Sequence, residues 1–199
     1  MKSIIVLEAL DGVGKSTVAK LVAKKLDAVL YRPSGRIKHA TNEAIRLPYG
    51  SEERSSAIRH ALTMMSKEIK EVAQSYPVIL DRFYASWASA EAGAGNLRIT
   101  ELSIDNWPQD LVKPNLNVHL RVDEDERLRR ISARNFQNQR EIKLRDDESY
   151  RFRVLRGLTR LTDYDVDNTF RSPEETAAAI VERYKSIRKS ARPQILLAA

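Results

Sequence analysis

Apolar positions along this chain come in two rhythms. Short runs at Ser3 to Leu7, Ala28 to Tyr31, Val78 to Leu80 and Leu116 to Val122, with a weaker one at Asp163 to Val166, predict five strands. Between them the spacing becomes helical. Val18, Leu21, Val22 and Leu26 share one face, and Glu53 to Ser75 reads as a long helix with Ile58, Leu62, Met65, Ile69 and Val72 turned to a core. Met64 and Glu68, four apart, lie beside that face. Asp123 to Glu126 resembles a helix start. Ser172-Pro173-Glu174-Glu175 is a fuller one, with a capping serine, a proline in the first turn and a glutamate three residues on. The helix it opens turns Ala177, Ile180, Val181, Tyr184 and Ile187 inward, and the apolar tail Ile195-Leu196-Leu197 either packs or frays.

Strands alternating with helices predict an α/β fold: a parallel sheet flanked by helices on both faces, in one domain spanning 1–199. Ligands of such sheets sit beyond the carboxyl ends of the strands. The segments at Asp11, Arg32 and Asp81-Arg82 each follow a predicted strand, so they are expected around one crevice.

Composition narrows the partners. The chain carries 34 basic and 27 acidic side chains, a net charge of +7, which favours anions without choosing among nucleotide, nucleic acid and membrane surface. The lack of cysteine excludes disulfides and thiolate metal sites and suits a reducing compartment. No apolar run is long enough to cross a membrane, and Glu8 interrupts the first one before it could act as a signal segment; a soluble, cytoplasmic protein is expected. His39, His60 and His119 show no metal-ligand spacing. His119 falls on the polar side of Leu116, Val118, Leu120 and Val122, which predicts a surface histidine.

Chemistry concentrates first in Ile4-Ile5-Val6-Leu7-Glu8-Ala9-Leu10-Asp11-Gly12-Val13-Gly14-Lys15-Ser16-Thr17. An apolar run, a turn with two glycines and a helix start make a nest of backbone N–H groups for phosphate oxygens. Lys15 would reach the β- and γ-phosphates and the Ser16 hydroxyl would hold Mg²⁺. Ala9 stands where the usual motif has glycine. The strand at Val78 ends in Asp81, suited to the hydration shell of Mg²⁺, and in Arg82, suited to bidentate pairing with a phosphate. A kinase acting on a hydroxyl benefits from a carboxylate at the end of the second strand, whereas one acting on a phosphate needs a cation there. Arg32 therefore points to a phosphorylated acceptor. Further along, Arg127, Arg129, Arg130, Arg134, Arg140, Arg145, Arg151, Arg153 and Arg156 crowd the chain. Most are expected on solvated helix faces. Arg134 and Arg140 flank a polar excursion from Asn135 to Glu141 and are the candidates for closing over a transferred phosphoryl group.

Taken together, the stretch Ile4 to Thr17, Arg32-Pro33-Ser34-Gly35, Asp81-Arg82-Phe83 with Ser86, Pro114-Asn115-Leu116 to Arg134, Arg153 to Gly157, and Ser172 to Glu175 resemble the thymidylate kinase family of P-loop nucleoside monophosphate kinases. The resemblance implies a three-layer P-loop kinase fold with a five-stranded parallel core, ATP as donor, Mg²⁺ held at Ser16, Asp11 and Asp81, a mobile lid over approximately 134–146, and often a homodimer. It also implies roles. Asp11, Gly12, Val13, Gly14, Lys15, Ser16 and Thr17 would bind ATP, with Arg134 and Arg140 serving it from the lid. Asp11 would also touch the acceptor sugar, Arg32 and Arg82 would hold the acceptor phosphate, and Ser86 would lie beside it. Val13 stands where some members place a catalytic arginine, so the lid would supply that charge.

The departures fall on the acceptor base. Members usually stack thymine on a phenylalanine and read it with an arginine four residues later; the matching positions are Met64 and Glu68. A tyrosine that crowds the ribose 2′ position aligns with Ala90, and a polar base reader with Trp87. A carboxylate accepts where a guanidinium donates, so a monophosphate other than dTMP is expected. A shift of a residue or two in these helices would restore dTMP. A kinase with a hydroxyl acceptor is the next reading, and a nucleotide-dependent switch or nucleic-acid-binding module the third. The last lacks any aromatic-and-basic stacking platform.

Overall fold

The computed structural model describes residues 1–133 and 139–190. In chain order its elements are β1 (Ile4–Glu8), α1 (Lys15–Leu26), β2 (Val29–Leu30), α2 (Gly35–Arg46), α3 (Glu52–Ser75), β3 (Val78–Asp81), α4 (Tyr84–Ala94), β4 (Leu116–Arg121), α5 (Glu124–Ser132), α6 (Gln139–Asp146), α7 (Glu148–Leu161), β5 (Tyr164–Asp167) and α8 (Pro173–Ser190). The five strands form one parallel sheet in the order β2-β3-β1-β4-β5. Each expected strand is present with its ends moved by a residue or two. No helix of the described residues is long and apolar enough to cross a membrane.

β1 is the centre of the sheet and is buried along its whole length. Ile4, Ile5, Val6 and Leu7 pair with Val78 to Asp81 on one side, and Ile5 to Glu8 with Leu116 to His119 on the other. A strand covered on both faces has no solvent side, so every residue must be apolar or find a polar partner. Glu8 finds one and is placed by it, as described below.

The same geometry corrects the reading of His119. It is 1% exposed, because β4 lies between β1 and β5 and helices cover both faces; Nδ1 lies 3.0 Å from Oδ1 of Asp165. Alternation in β4 therefore separates two buried faces. In α3 the buried residues are Ala61, Leu62, Ser66, Ile69 and Ala73, while Met65 and Val72 sit at the core margin. Three of these five, Ala61, Ser66 and Ala73, are small. Gly93 serves α4 in the same way, since a Cβ on it would come within 2.6 Å of Tyr150 and Val154 of α7.

The helix start at Ser172 forms a reciprocal cap. Its hydroxyl accepts from the Glu175 N–H at 3.2 Å, and the Glu175 carboxylate accepts from the Ser172 N–H at 2.8 Å. Ala177, Ile180, Val181 and Tyr184 of α8 are buried as the spacing predicts. Two helices without a sequence signal appear, α2 and α6, the latter starting in the stretch read as a polar excursion and ending with the expected lid at 146. Arg134 and the Ile195-Leu196-Leu197 tail lie outside the described residues.

Candidate active site

Beyond β1 the chain turns through Gly12 at φ +93° and Gly14 at φ +91°, conformations that L side chains rarely adopt. A Cβ on Gly12 would also meet Ile131 at 2.8 Å and Arg127 at 3.1 Å. Ala9 needs no such freedom. It is fully buried and lies outside the positive-φ region, so the methyl group in the motif's first position fits. At the far end Thr17 and Val18 donate to the Gly14 carbonyl and start α1, whose first N–H groups have no partner within the helix.

The loop is held by its carbonyls. Arg127 gives Nη1 to the Asp11 oxygen at 3.2 Å, while Arg130 Nη1 and Asn168 Nδ2 reach the Val13 oxygen at 3.1 and 2.8 Å. In a trans peptide C=O and N–H point opposite ways, so these bonds aim the Gly12 and Gly14 N–H groups away from α5 and β5. They face a hollow of about 160 Å³ bounded by Leu10 to Thr17 and Arg82. Lys15 is 7% exposed and its Nζ pairs with Asp81. Burial, then the neighbouring Arg82 charge, push its ammonium pKa down to about 7 despite that ion pair. Ser16 and Thr17 are exposed at the helix start.

Arg82 connects this hollow to a second one. Its backbone sits at φ +75°, costly for a residue with a side chain and held by an N–H bond to the Leu7 oxygen at 3.0 Å. From there the guanidinium donates to the Ala9 oxygen at 2.5 Å, to Ser86 at 3.0 Å and to Asp11 at 2.7 Å. Glu8 anchors the same corner, accepting from the Phe83 N–H at 3.0 Å and from the Ser86 hydroxyl. Its pKa is raised, chiefly by burial. Asp11 is also partly desolvated, yet Arg82, Arg140 and Lys15 hold it below the ordinary carboxylate value.

Arg140 of α6 completes the constellation. Its Nε is 3.8 Å from the second Asp11 oxygen; Nε and Nη2 are buried and make no hydrogen bond among the described residues. Burial opposes its charge, but Asp11 and nearby tyrosine oxygens keep its pKa raised. Buried donors left over in this way are a demand for an anion. Arg140 also lines a cavity of about 840 Å³, with Asp11, Arg82, Met65, Trp87 and Ala90.

Asp81 and Ser86 also line this cavity, as expected. Three expected residues do not. Arg32 is exposed and off the wall, which its neighbour Pro33 supplies instead. Met64 is replaced by Met65, one helical position along. Glu68 turns away to accept from the Tyr31 hydroxyl at 2.7 Å and the Ser34 N–H at 3.2 Å, which braces the segment after β2. Sequence reasoning missed Lys38, a cavity-wall cation on α2, and the loop-holding Arg127, Arg130 and Asn168. Arg127 is 1% exposed and bidentate to Glu124. Nothing in an arginine-rich run distinguishes it beforehand, since the exposed Arg129 stands three residues after Glu126 in the same bidentate pairing.

Among the described residues no three His, Cys, Asp or Glu side chains gather as a metal cluster. That donor set does not argue against Mg²⁺ beside a polyphosphate, since Mg²⁺ keeps waters and phosphate oxygens and needs only one or two protein ligands.

A glycine-turned loop at the head of a central parallel strand, joined through Arg82 and Asp11 to a second anion-demanding cavity, defines a P-loop phosphotransferase. Comparison with known proteins narrows this. The family model for thymidylate kinase matches residues 7–180, and the chain belongs to the thymidylate kinase family of nucleoside monophosphate kinases. It is 27% identical over 190 residues to a probable thymidylate kinase of Methanocaldococcus jannaschii, covering 92% of this chain and 96% of that one. Two solved structures share the fold. Thymidylate kinase from Candida albicans superposes with a TM-score of 0.69 at 19% identity, covering 94% of this chain and 92% of that one. Deoxyadenosine kinase from M. mycoides superposes at 0.61 and 18% identity, covering 92% and 99%.

Proposed function

We propose that this kinase transfers the γ-phosphoryl group of ATP to a nucleoside monophosphate other than dTMP. The carrying observation is that the phosphate loop and the large cavity meet at Asp11 and Arg82, which border both. A donor with its phosphates on the Gly12 and Gly14 N–H groups would point its terminal phosphate at an acceptor phosphate bound by Arg82 and the unpaired donors of Arg140. Lys15 would leave Asp81 for the transferred group. Charge spreading onto the moving oxygens would then meet Lys15, Arg82 and Arg140, and no protein base is needed because the acceptor is already an anion. Ser16, with Asp81 or Asp11, would hold Mg²⁺, which when bound neutralises the donor phosphates. Arg140 lies in the expected lid region of 134–146, and we assign α6 to closing that side; Arg134 would act with it. A cytoplasmic enzyme and a homodimer also fit this reading, the latter to be read by light scattering.

Acceptor choice follows from the cavity wall. Trp87 and Ala90, which the resemblance aligns with a base reader and with the tyrosine beside the ribose, line the cavity with Met65, and Glu68 is committed to Tyr31 and Ser34. Without the bulk of a tyrosine at Ala90, a ribose hydroxyl has room. A kinetic panel of dTMP, dUMP, dCMP, CMP, UMP and the unphosphorylated nucleosides tests both points. The expected result is a ribonucleotide, CMP or UMP, above dTMP in kcat/KM, with nucleosides inactive. If dTMP is the best acceptor the acceptor assignment fails; if a nucleoside turns over best, so does the phosphorylated-acceptor reading.

A further inference from the structure

Arg140 reaches Asp11 only while α6 is held in place, and α6 has eight residues. A helix that short does not stabilise itself, so its position is set by what its neighbours grip. Leu144 gives them one hold, being fully buried. Lys143 gives another. It stands three residues from Arg140, so the two side chains leave the helix on neighbouring lines of one face.

The Lys143 ammonium has no carboxylate partner among the described residues. What it meets is a pair of aromatic rings: Nζ lies 5.1 Å from the centroid of Tyr150 and 5.8 Å from that of Tyr49. The rings come from distant parts of the chain. Tyr150 belongs to α7 and is fully buried, while Tyr49 is on the loop between α2 and α3. Their hydroxyls are hydrogen-bonded to each other and their rings meet edge to face with centroids 6.1 Å apart. The loop is itself braced. Arg54 of α3 donates to the Ile45 and Leu47 oxygens at 2.8 and 3.1 Å, and its guanidinium carbon lies 5.0 Å from the Tyr49 centroid. Tyr49 also lines the large cavity, whereas Lys143 does not.

We infer that Lys143, seated on the Tyr49 and Tyr150 rings, is a positioning residue that holds α6 so that Arg140 stands beside Asp11. The rings offer the ammonium a negative face in place of water, and the hydroxyl bond between them ties the α2–α3 loop to α7. Seating Lys143 fixes the rotation of α6, and the rotation aims Arg140. The inference rests on the reading of Arg140 as a group that acts on the transferred phosphoryl, and adds to it the device that aims it.

Two measurements on the full chain test this: amide hydrogen exchange over 139–146 without nucleotide, and steady-state kinetics with the preferred acceptor. A cation–π contact biases a docking equilibrium by about 2- to 30-fold. Lys143→Met and Tyr49→Leu should each speed exchange across α6 by a factor in that range and lower kcat, while Lys143→Met leaves the KM for ATP and for the acceptor within about 2-fold. Lys143→Arg returns a cation to the rings and should restore both exchange and kcat. In an Arg140→Ala background Lys143→Met should change kcat by less than about 2-fold, since no guanidinium is left to place. Unchanged exchange in both variants, or the same loss of kcat with and without Arg140, overturns the inference. Wild-type kcat in Arg140→Ala itself overturns the reading of Arg140 beneath it, whatever the exchange.

Discussion

Lys15 is a cation held where burial resists its charge. With its native pKa near 7, against 10.5 when free, the unfolded chain binds a proton that the native one has given up between those values. Stability contributed at this position therefore rises with pH through that window, and below pH 7 the buried charge is a standing cost. A bound triphosphate reverses the balance by supplying the counter-charge. At pH 8 nucleotide binding should take up about one proton from solution, seen as a binding heat that changes with the ionisation enthalpy of the buffer. A buffer-independent heat at that pH would mean Lys15 is already charged in the free protein.

Among the elements, α6 carries the site's least satisfied group. Arg140→Ala should lower kcat by about 10²- to 10³-fold, with a much smaller change in the KM for ATP, the pattern of a group that acts on developing charge. Equal losses in both constants would make it a ground-state contact. Much of the scaffold that presents Arg140 and the loop is readable from periodicity: the strands, the Ser172 cap and the inward face of α8 all follow local rules. What escapes is set by neighbours. His119 reads as exposed because alternation marks two faces but cannot say that both are covered. Met65 replaces Met64 because one residue turns a helix by about 100°, enough to move a side chain off a wall. Lys38 gives no signal, since a lysine in a polar stretch looks the same whether it borders a cavity or open water. Arg32 follows its strand as expected, but Pro33, not the arginine, faces the cavity.

For the molecule as a whole, the two hollows share a wall at Asp11 and Arg82, and in the proposed reading they are the donor and acceptor sites. An adenosine joined through an oligophosphate to the preferred acceptor nucleoside should exceed the affinity of either half by about 10²-fold or more, since the second contact becomes intramolecular. Calorimetry with the linked and separate ligands measures this, and a linked compound no tighter than its better half would place the sites out of reach of one another. The topology has another consequence, for biosynthesis. The strand bearing the phosphate loop leaves the ribosome before the partners that flank it, Val78 to Asp81 and Leu116 to His119, with the loop carbonyls waiting for Arg127, Arg130 and Asn168. Ile4 to Leu7 must wait for Val78 to Asp81 before one edge is paired and for Leu116 to His119 before both are, a sticky segment in need of shelter. Nascent chains stalled before Leu116 should lack nucleotide-binding competence.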